Sequence, residues 1–265
     1  MVNQQEKKNN YKNILYIKNY INSKDIDYLN ELFNVNTFSI NSNKLIGLNK
    51  DDLDELINNY DIIIIGGGPQ HIITTEIFKY PEIPNQIELI RIISNTNKLL
   101  IGICLGCQII GKAFGLEVIQ MDKLCAGFDN LDSSTLNTQY IKVSLDKYLS
   151  KLDYDLLSKS FNFHNDCVQF LIPNTELINI CNSKNNIPYI IAHTKANIYG
   201  FQFHPEADID CVKNMLEKYD NDLTKNIIET NQDQLNLKSL INSQVFPEKS
   251  ISIICLHFFN VFINC

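Results

Sequence analysis

In KLLIGICLGCQIIGKAFG, residues 98–115, an apolar run from Leu99 to Ile103 arrives at Cys104 and is followed by a helical pattern from Gln108 to Phe114. The cysteine therefore falls where a buried strand turns into a helix. Gly102 and Gly106 stand two residues to either side, which predicts the tight strand-to-helix turn that G-x-S-x-G enzymes use to push a nucleophile out of the sheet. A thiol at a helix N-terminus meets the positive end of the macrodipole and unpaired N–H groups, and both favour thiolate over thiol.

Working outward toward the N-terminus, DIIII (residues 61–65) is a continuous apolar run, the mark of a central strand covered on both faces, and it ends in Gly66-Gly67-Gly68-Pro69. Before it come a strand at 13–20, a helix at 24–34 with Ser23 as N-cap, a short strand at 36–41 and an amphipathic helix at 50–60 with acidic residues in its first turns. Residues 74–96 read as helical pieces interrupted by Pro81 and Pro84. Alternating strands and helices, with glycine-bearing turns at the carboxyl ends of apolar strands, describe an α/β fold: a doubly wound, mostly parallel sheet with flavodoxin-like layers. Ligands of such sheets bind at those strand ends.

Beyond the helix the second half is richer in strand signals, at 117–122, 140–145, 161–170, 175–183 and 188–194, which read as antiparallel additions to the same domain. Tyr199 to Glu206 (YGFQFHPE) is a strand running into His204-Pro205-Glu206, and residues 208–219 form a closing helix. Three parts result: a polar tail at 1–10, a domain at 11–219 and a C-terminal extension at 220–265. The extension is polar and weakly helical over 221–247. It ends in SISIICLHFFNVFINC (250–265), whose apolar run falls short of the ~20 residues that span a bilayer. That end reads as an element packed on the domain or on a copy of it, with a membrane-surface or partner-binding tail as the alternative.

The 265 residues are enough for a full core, and an apolar fraction of 45% with 20% charged residues is that of a globular domain. A net charge of −7 with no cluster of Lys and Arg argues against nucleic acid. MVNQQEKKNN has no apolar core, so it is neither signal peptide nor membrane span. The eight cysteines then read as reduced thiols in a cytoplasmic protein, most of them small core residues.

Taken alone, Cys104 is either a structural thiol or half of a Cys104-x-x-Cys107 redox pair. His204 and Glu206 change that balance. In an extended segment residues i and i+2 project to one side, so imidazole and carboxylate can lie edge to edge, while Pro205 puts the pair at a strand end. Nucleophile, base and orienting carboxylate are then all present. Gly66-Gly67-Gly68-Pro69 reads as a plain loop or as an oxyanion hole, in which the N–H of Gly68 or a neighbour and that of Leu105 meet one oxygen. No Lys-Ser/Thr follows, as a phosphate-binding P-loop requires.

These three pieces, G-I-C-L-G-x-Q at 102–108, G-G-P at 67–69 and Y-G-F-Q-F-H-P-E at 199–206, resemble the class I glutamine amidotransferases of the triad type. The likeness runs from about Tyr11 to Tyr219 and is nearest to stand-alone chains similar to the glutaminase domain of GMP synthase. It implies that Cys104 attacks the side-chain amide of glutamine to form a γ-glutamyl thioester, that His204 protonates the departing ammonia and that Glu206 holds His204. It carries Gly68 and Leu105 over as oxyanion donors, Gln108 as a contact to glutamine, and His164-x-Asp166-x-Val168 as a segment near the glutamine pocket. Gln70 and His71 depart from the small or acidic residues often found after G-G-P, and Cys107 stands where Ala, His or Ser is common.

The expected substrate is glutamine and the expected partner a separate synthase subunit that accepts ammonia, because the chain is too short to hold a synthase domain as well. Neither a metal nor an organic cofactor is implied. Two other readings keep the fold: a γ-glutamyl peptidase with the same triad, and a non-catalytic binding or regulatory subunit, which would call for a broken triad.

Overall fold

The computed structural model describes residues 12–20, 26, 28–73, 75–128, 131–144, 146–171, 173–207, 211–212 and 248–264. The tail expected at 1–10, Ser23, most of the helix expected at 208–219 and the polar stretch at 221–247 lie outside these residues. The first half forms β1 (Asn13–Lys18), α1 (Tyr28–Phe33), β2 (Asn36–Asn41), α2 (Lys50–Asn58), β3 (Ile62–Ile65), α3 (Glu82–Ile93), β4 (Leu99–Ile103) and α4 (Leu105–Ala113). The second half adds β5 (Glu117–Gly127), β6 (Leu131–Asp132), α5 (Thr138–Ser144), α6 (Tyr154–Leu157), β7 (Asn162–Gln169), β8 (Leu177–Ser183), β9 (Pro188–His193) and β10 (Ile198–Phe201). Helix α7 (Glu248–Asn264) is the last described element.

Eight strands form one sheet in the order β2-β1-β3-β4-β10-β9-β8-β6, and β5 pairs with β7 in a separate two-stranded sheet. From β2 to β10 neighbouring strands are parallel, whereas β9, β8 and β6 each run antiparallel to the preceding neighbour. The period of two sorts the apolar residues of the central strands onto two covered faces. Ile14, Ile62, Ile64, Leu99 and Ile101 pack in one layer, and Leu15, Ile63, Ile65 and Leu100 in the other. Helices α2, α3 and α4 cover the second face through Leu53, Ile57, Leu89, Ile93 and Ile110. The first face is covered by Leu29, Ile141 and Leu157 and by Ile254, Phe258 and Phe262 of α7.

Local signals explain several boundaries. Asn49 begins α2 with a capping box, its side chain accepting the Asp52 N–H at 3.0 Å while the Asp52 carboxylate accepts the Asn49 N–H at 2.9 Å. Pro81 and Pro84 do not interrupt a helix: Pro81 is the N-cap of α3 and Pro84 lies in its first turn, where a missing N–H leaves no bond unmade. The strand expected at 140–145 is instead helix α5. Asn137 decides it, accepting the Tyr140 N–H on its side chain at 3.0 Å and the Ile141 N–H on its carbonyl at 3.2 Å. Strand β5 also runs past its expected end at Asp122, continuing through an irregularity between Gln120 and Cys125 to Gly127.

Helix α7 is bound to the domain along its length. Phe258 and Phe262 meet Phe201 edge to face at ring separations of 5.0 and 5.7 Å, and Phe262 stacks on Tyr148 at 5.3 Å. The Asp153 N–H donates to His257 Nε2 at 2.9 Å, and Lys12 Nζ donates to the Ile263 carbonyl near the helix end. No helix among the described residues is long and apolar enough to cross a membrane.

Candidate active site

Cys104 sits between β4 and α4 with φ 53° and ψ −106°, a left-handed backbone that costs a non-glycine residue on the order of 1–3 kcal/mol. The strain is held by pairing on both sides: the Cys104 N–H donates to the Phe201 carbonyl at 2.7 Å, and the Cys104 carbonyl accepts the Gln108 N–H at 3.2 Å. The flanking glycines serve space rather than φ, since neither has a positive φ. A Cβ on Gly106 would run into the Ile65 carbonyl, and one on Gly102 would lie 2.5 Å from the Gly106 carbonyl oxygen. The strand can turn into the helix only because both side chains are missing.

His204 and Glu206 follow β10. The Phe161 carbonyl accepts the His204 N–H at 2.8 Å, and His204 Nδ1 is 2.9 Å from Glu206 Oε1. A Cβ built on Gly67 would lie 3.0 Å from His204 Cε1 and 3.4 Å from Cys104 Cβ, so the imidazole and the cysteine face one point beside this loop. Burial pulls the His204 pKa down, but the Glu206 carboxylate, negative charge at Cys104 and the hydrogen bond to Glu206 raise it well above the usual imidazole value. The Glu206 carboxylate thus favours the protonated form of the imidazole.

The Gly66-Gly67-Gly68 loop approaches the start of α4: a Cβ on Gly68 would lie 3.0 Å from Leu105 Cδ2 and would strike Gln70 Oε1. Among the described residues no acceptor pairs with the Gly68 or Leu105 N–H. For Leu105 this follows from its place in the first turn of a helix. Gln70 and His71 lock this loop. Gln70 Nε2 donates to the Asn19 carbonyl at 2.9 Å and to Glu82 Oε1 at 3.0 Å. Asn19 in turn donates to the Gly66 carbonyl at 3.0 Å and accepts from Gln86 at 2.8 Å. His71 Nδ1 lies 3.0 Å from Asp166 Oδ2, and the shared hydrogen bond outweighs partial burial to raise the His71 pKa.

The segment His164-Asn165-Asp166 lies in β7, with both His164 and Asp166 buried. Gln108 Nε2 donates to the Asp166 carbonyl at 2.8 Å and to Gln202 Oε1 at 3.4 Å, so its nitrogen is engaged by the protein. His164 Nδ1 is 3.1 Å from the Asp166 carbonyl, which can only accept, so Nδ1 carries the proton and buried Nε2 has no partner among the described residues.

Burial pushes the His164 pKa from 6.5 down to about 4, against the upward pull of its bond to the Asp166 carbonyl. The folded chain thus carries a neutral His164 where an unfolded chain would already bind a proton. Stability therefore falls as pH drops from about 6.5 to about 4. Thermal unfolding across that window is expected to show a falling Tm for the native chain and a flatter profile for His164→Gln; parallel profiles would remove His164 from the acid response.

Sequence reasoning missed Asn19, Gln86 and Gln202. The first two carry no local signal, because their partners are brought together only by the sheet. Gln202 did have one: it stands two residues before His204 in the same extended run, which puts both side chains on one side. Cys107 is fully buried and burial, with charge at Cys104 and Cys167, pushes its thiol well up. None of the seven described cysteines is in a disulfide. No group of three or more His, Cys, Asp or Glu among the described residues is placed to hold a metal ion.

Residues 32–218 match the family profile described as glutamine amidotransferase class-I. A glutamine amidotransferase-like protein of Acanthamoeba polyphaga mimivirus is 31% identical over 167 residues, covering 62% of this chain and 67% of its own length. A glutamine-hydrolysing GMP synthase subunit of Sulfurisphaera tokodaii is 28% identical over 171 residues, covering 62% of this chain and 79% of its own. Among solved structures, a glutamine amidotransferase from Thermotoga maritima superposes with a TM-score of 0.69 at 17% identity, covering 96% of this chain and 99% of that one. At that identity the likeness speaks for the fold.

Proposed function

The chain belongs to the class-I glutamine amidotransferase family, and on that premise we propose that it hydrolyses the side-chain amide of glutamine at Cys104, releasing glutamate and ammonia. The observation that carries the reading is that Cys104 and the His204 ring converge beside Gly67, with the ring paired to Glu206 Oε1 at 2.9 Å. Cys104 sulfur attacks the amide carbon, and the resulting oxyanion is met by the N–H groups of Gly68 and Leu105, each donor contributing roughly 3 kcal/mol at the transition state. Imidazolium His204 gives its proton to the leaving ammonia, which leaves a γ-glutamyl thioester. His204, now neutral, takes a proton from water as that water attacks the thioester, and glutamate departs with the sulfur restored. Glu206 keeps the ring oriented and supports its charged form through both steps.

Gln108 presents its amide oxygen to glutamine, since its nitrogen is engaged by Asp166 and Gln202. Residues 11–219 form the catalytic domain. The ammonia goes to an acceptor on a separate synthase polypeptide in the cytoplasm, a division of labour supported by the likeness to chains named as single subunits of GMP synthase.

Incubation of the purified chain with glutamine, and separately with a γ-glutamyl dipeptide, tests the reaction. Equal yields of glutamate and ammonia from glutamine, with the dipeptide a poor substrate, are expected. Cleavage of the dipeptide alone would move the chain to γ-glutamyl hydrolysis.

A further inference from the structure

Gln202 is fully buried, and its main chain is pinned by donation of its N–H to the Tyr189 carbonyl at 2.9 Å. Its side chain closes a hydrogen-bonded series whose direction is set at one end by a backbone group. The Asp166 carbonyl can only accept, so the Gln108 atom 2.8 Å away is the nitrogen. That nitrogen can only donate, so the Gln202 atom 3.4 Å from it is the oxygen. The Gln202 nitrogen is then left to point at Cys104 Sγ, 3.9 Å away. The one other polar contact of this sulfur outside the His204 ring, among the described residues, is the Phe163 carbonyl at 3.8 Å, which accepts from a neutral thiol and repels a thiolate.

We propose that Gln202 is a positioning residue for the nucleophile: its amide N–H donates to the Cys104 sulfur and favours thiolate there, against the Phe163 carbonyl, which accepts only from the thiol. The role rests on the glutaminase reading of Cys104, and it adds to that reading a group that acts on sulfur rather than on glutamine. Gln202, His204 and Glu206 stand two residues apart in the bends and turn that follow β10, so a single strand end supplies the donor to the sulfur, the imidazole and the carboxylate. The titratable groups around the sulfur are His204 backed by Glu206, His164 beside His204, and the thiols of Cys107 and Cys125. Gln202 itself does not titrate, so its donor is present at every pH. Removing it leaves Gln108 with its shorter bond to Asp166, which confines the loss to the sulfur.

The test is the pH profile of Cys104 alkylation by iodoacetamide, read by tandem mass spectrometry on the native chain, Gln202→Met and Gln202→Glu, with thermal unfolding as the check on folding. Gln202→Met keeps the length without a donor and is expected to move the profile about one pH unit toward alkaline. Glutamine turnover at neutral pH should fall about tenfold in kcat, with KM within about twofold, for an interaction made to the nucleophile. Gln202→Glu, equal in size, places a carboxylate against the sulfur and should move the profile further in the same direction. An alkylation profile unchanged from the native chain in either folded variant overturns the proposal. Because alkylation needs no glutamine, a native chain without glutaminase activity would overturn the preceding reading and still leave this contact measured.

Discussion

Cys104→Ala is expected to lower ammonia release from glutamine by about 10^4-fold or more, and His204→Ala by a similar factor, with the double variant little worse than either. The near equality follows from the way the two groups act. In the proposed reaction the sulfur attacks only if charged, and the proton it gives up is the one His204 later delivers to ammonia. Removing either group therefore removes the same step. Folding should survive both changes. Cys104 is 6% exposed and its strained backbone is held by main-chain bonds that alanine keeps. Assay of ammonia and of thermal unfolding on the same preparations checks both halves of the statement. A Cys104→Ser variant that keeps full glutaminase activity would exclude thioester chemistry at this position.

The second large effect is on stability. Phe262→Ala in α7 is expected to cost about 3–5 kcal/mol, the range for truncating a buried phenylalanine. The ring is fully buried and touches four others: Tyr148 at 5.3 Å, Tyr199 at 5.5 Å, Phe201 at 5.7 Å and Phe258 at 5.1 Å. Tyr199 and Phe201 belong to a central strand bonded on both sides, so the wall behind the ring cannot collapse into the space left. Urea unfolding of the native and variant chains measures the loss. A change below about 0.5 kcal/mol, the size of a neutral surface substitution, would mean that α7 does not pack on the sheet. The same helix reaches the site, since Cys255 Sγ lies 3.7 Å from the Glu206 carbonyl. Loosening it is therefore expected to lower activity as well as stability.

Much of this architecture is legible in the chain itself because its signals are local. The runs at 62–65 and 99–103 are apolar on every residue, as strands covered on both faces must be, and they form the middle of the sheet. The cysteine elbow was readable from two glycines, although the structure assigns them a different reason. They leave room for the Ile65 carbonyl and the crossing backbone, and the left-handed φ falls on Cys104 itself.

The stretch at 140–145 misled because Ile and Val at alternate positions suggest a strand, whereas the decisive residue, Asn137, stands outside it and acts by capping. Pro81 and Pro84 misled in the opposite way: proline breaks a helix interior but suits its first turn. At the site, His204 and Glu206 could be paired from spacing alone. The bracing of the glycine loop by Asn19, Gln70 and Gln86, and the link from His71 to Asp166, depend on residues brought together across the sheet. No window of sequence contains them.

The central claim is that the Cys104 sulfur becomes covalently bound to the γ-glutamyl group during turnover. Rapid acid quench of the chain working on glutamine, followed by peptide mass mapping, measures this directly. A γ-glutamyl adduct on the peptide bearing Cys104, absent after Cys104→Ala and discharged on standing at neutral pH, is the predicted result. Sustained glutamine hydrolysis with no adduct on Cys104 at any quench time, and with activity retained in Cys104→Ala, would contradict it.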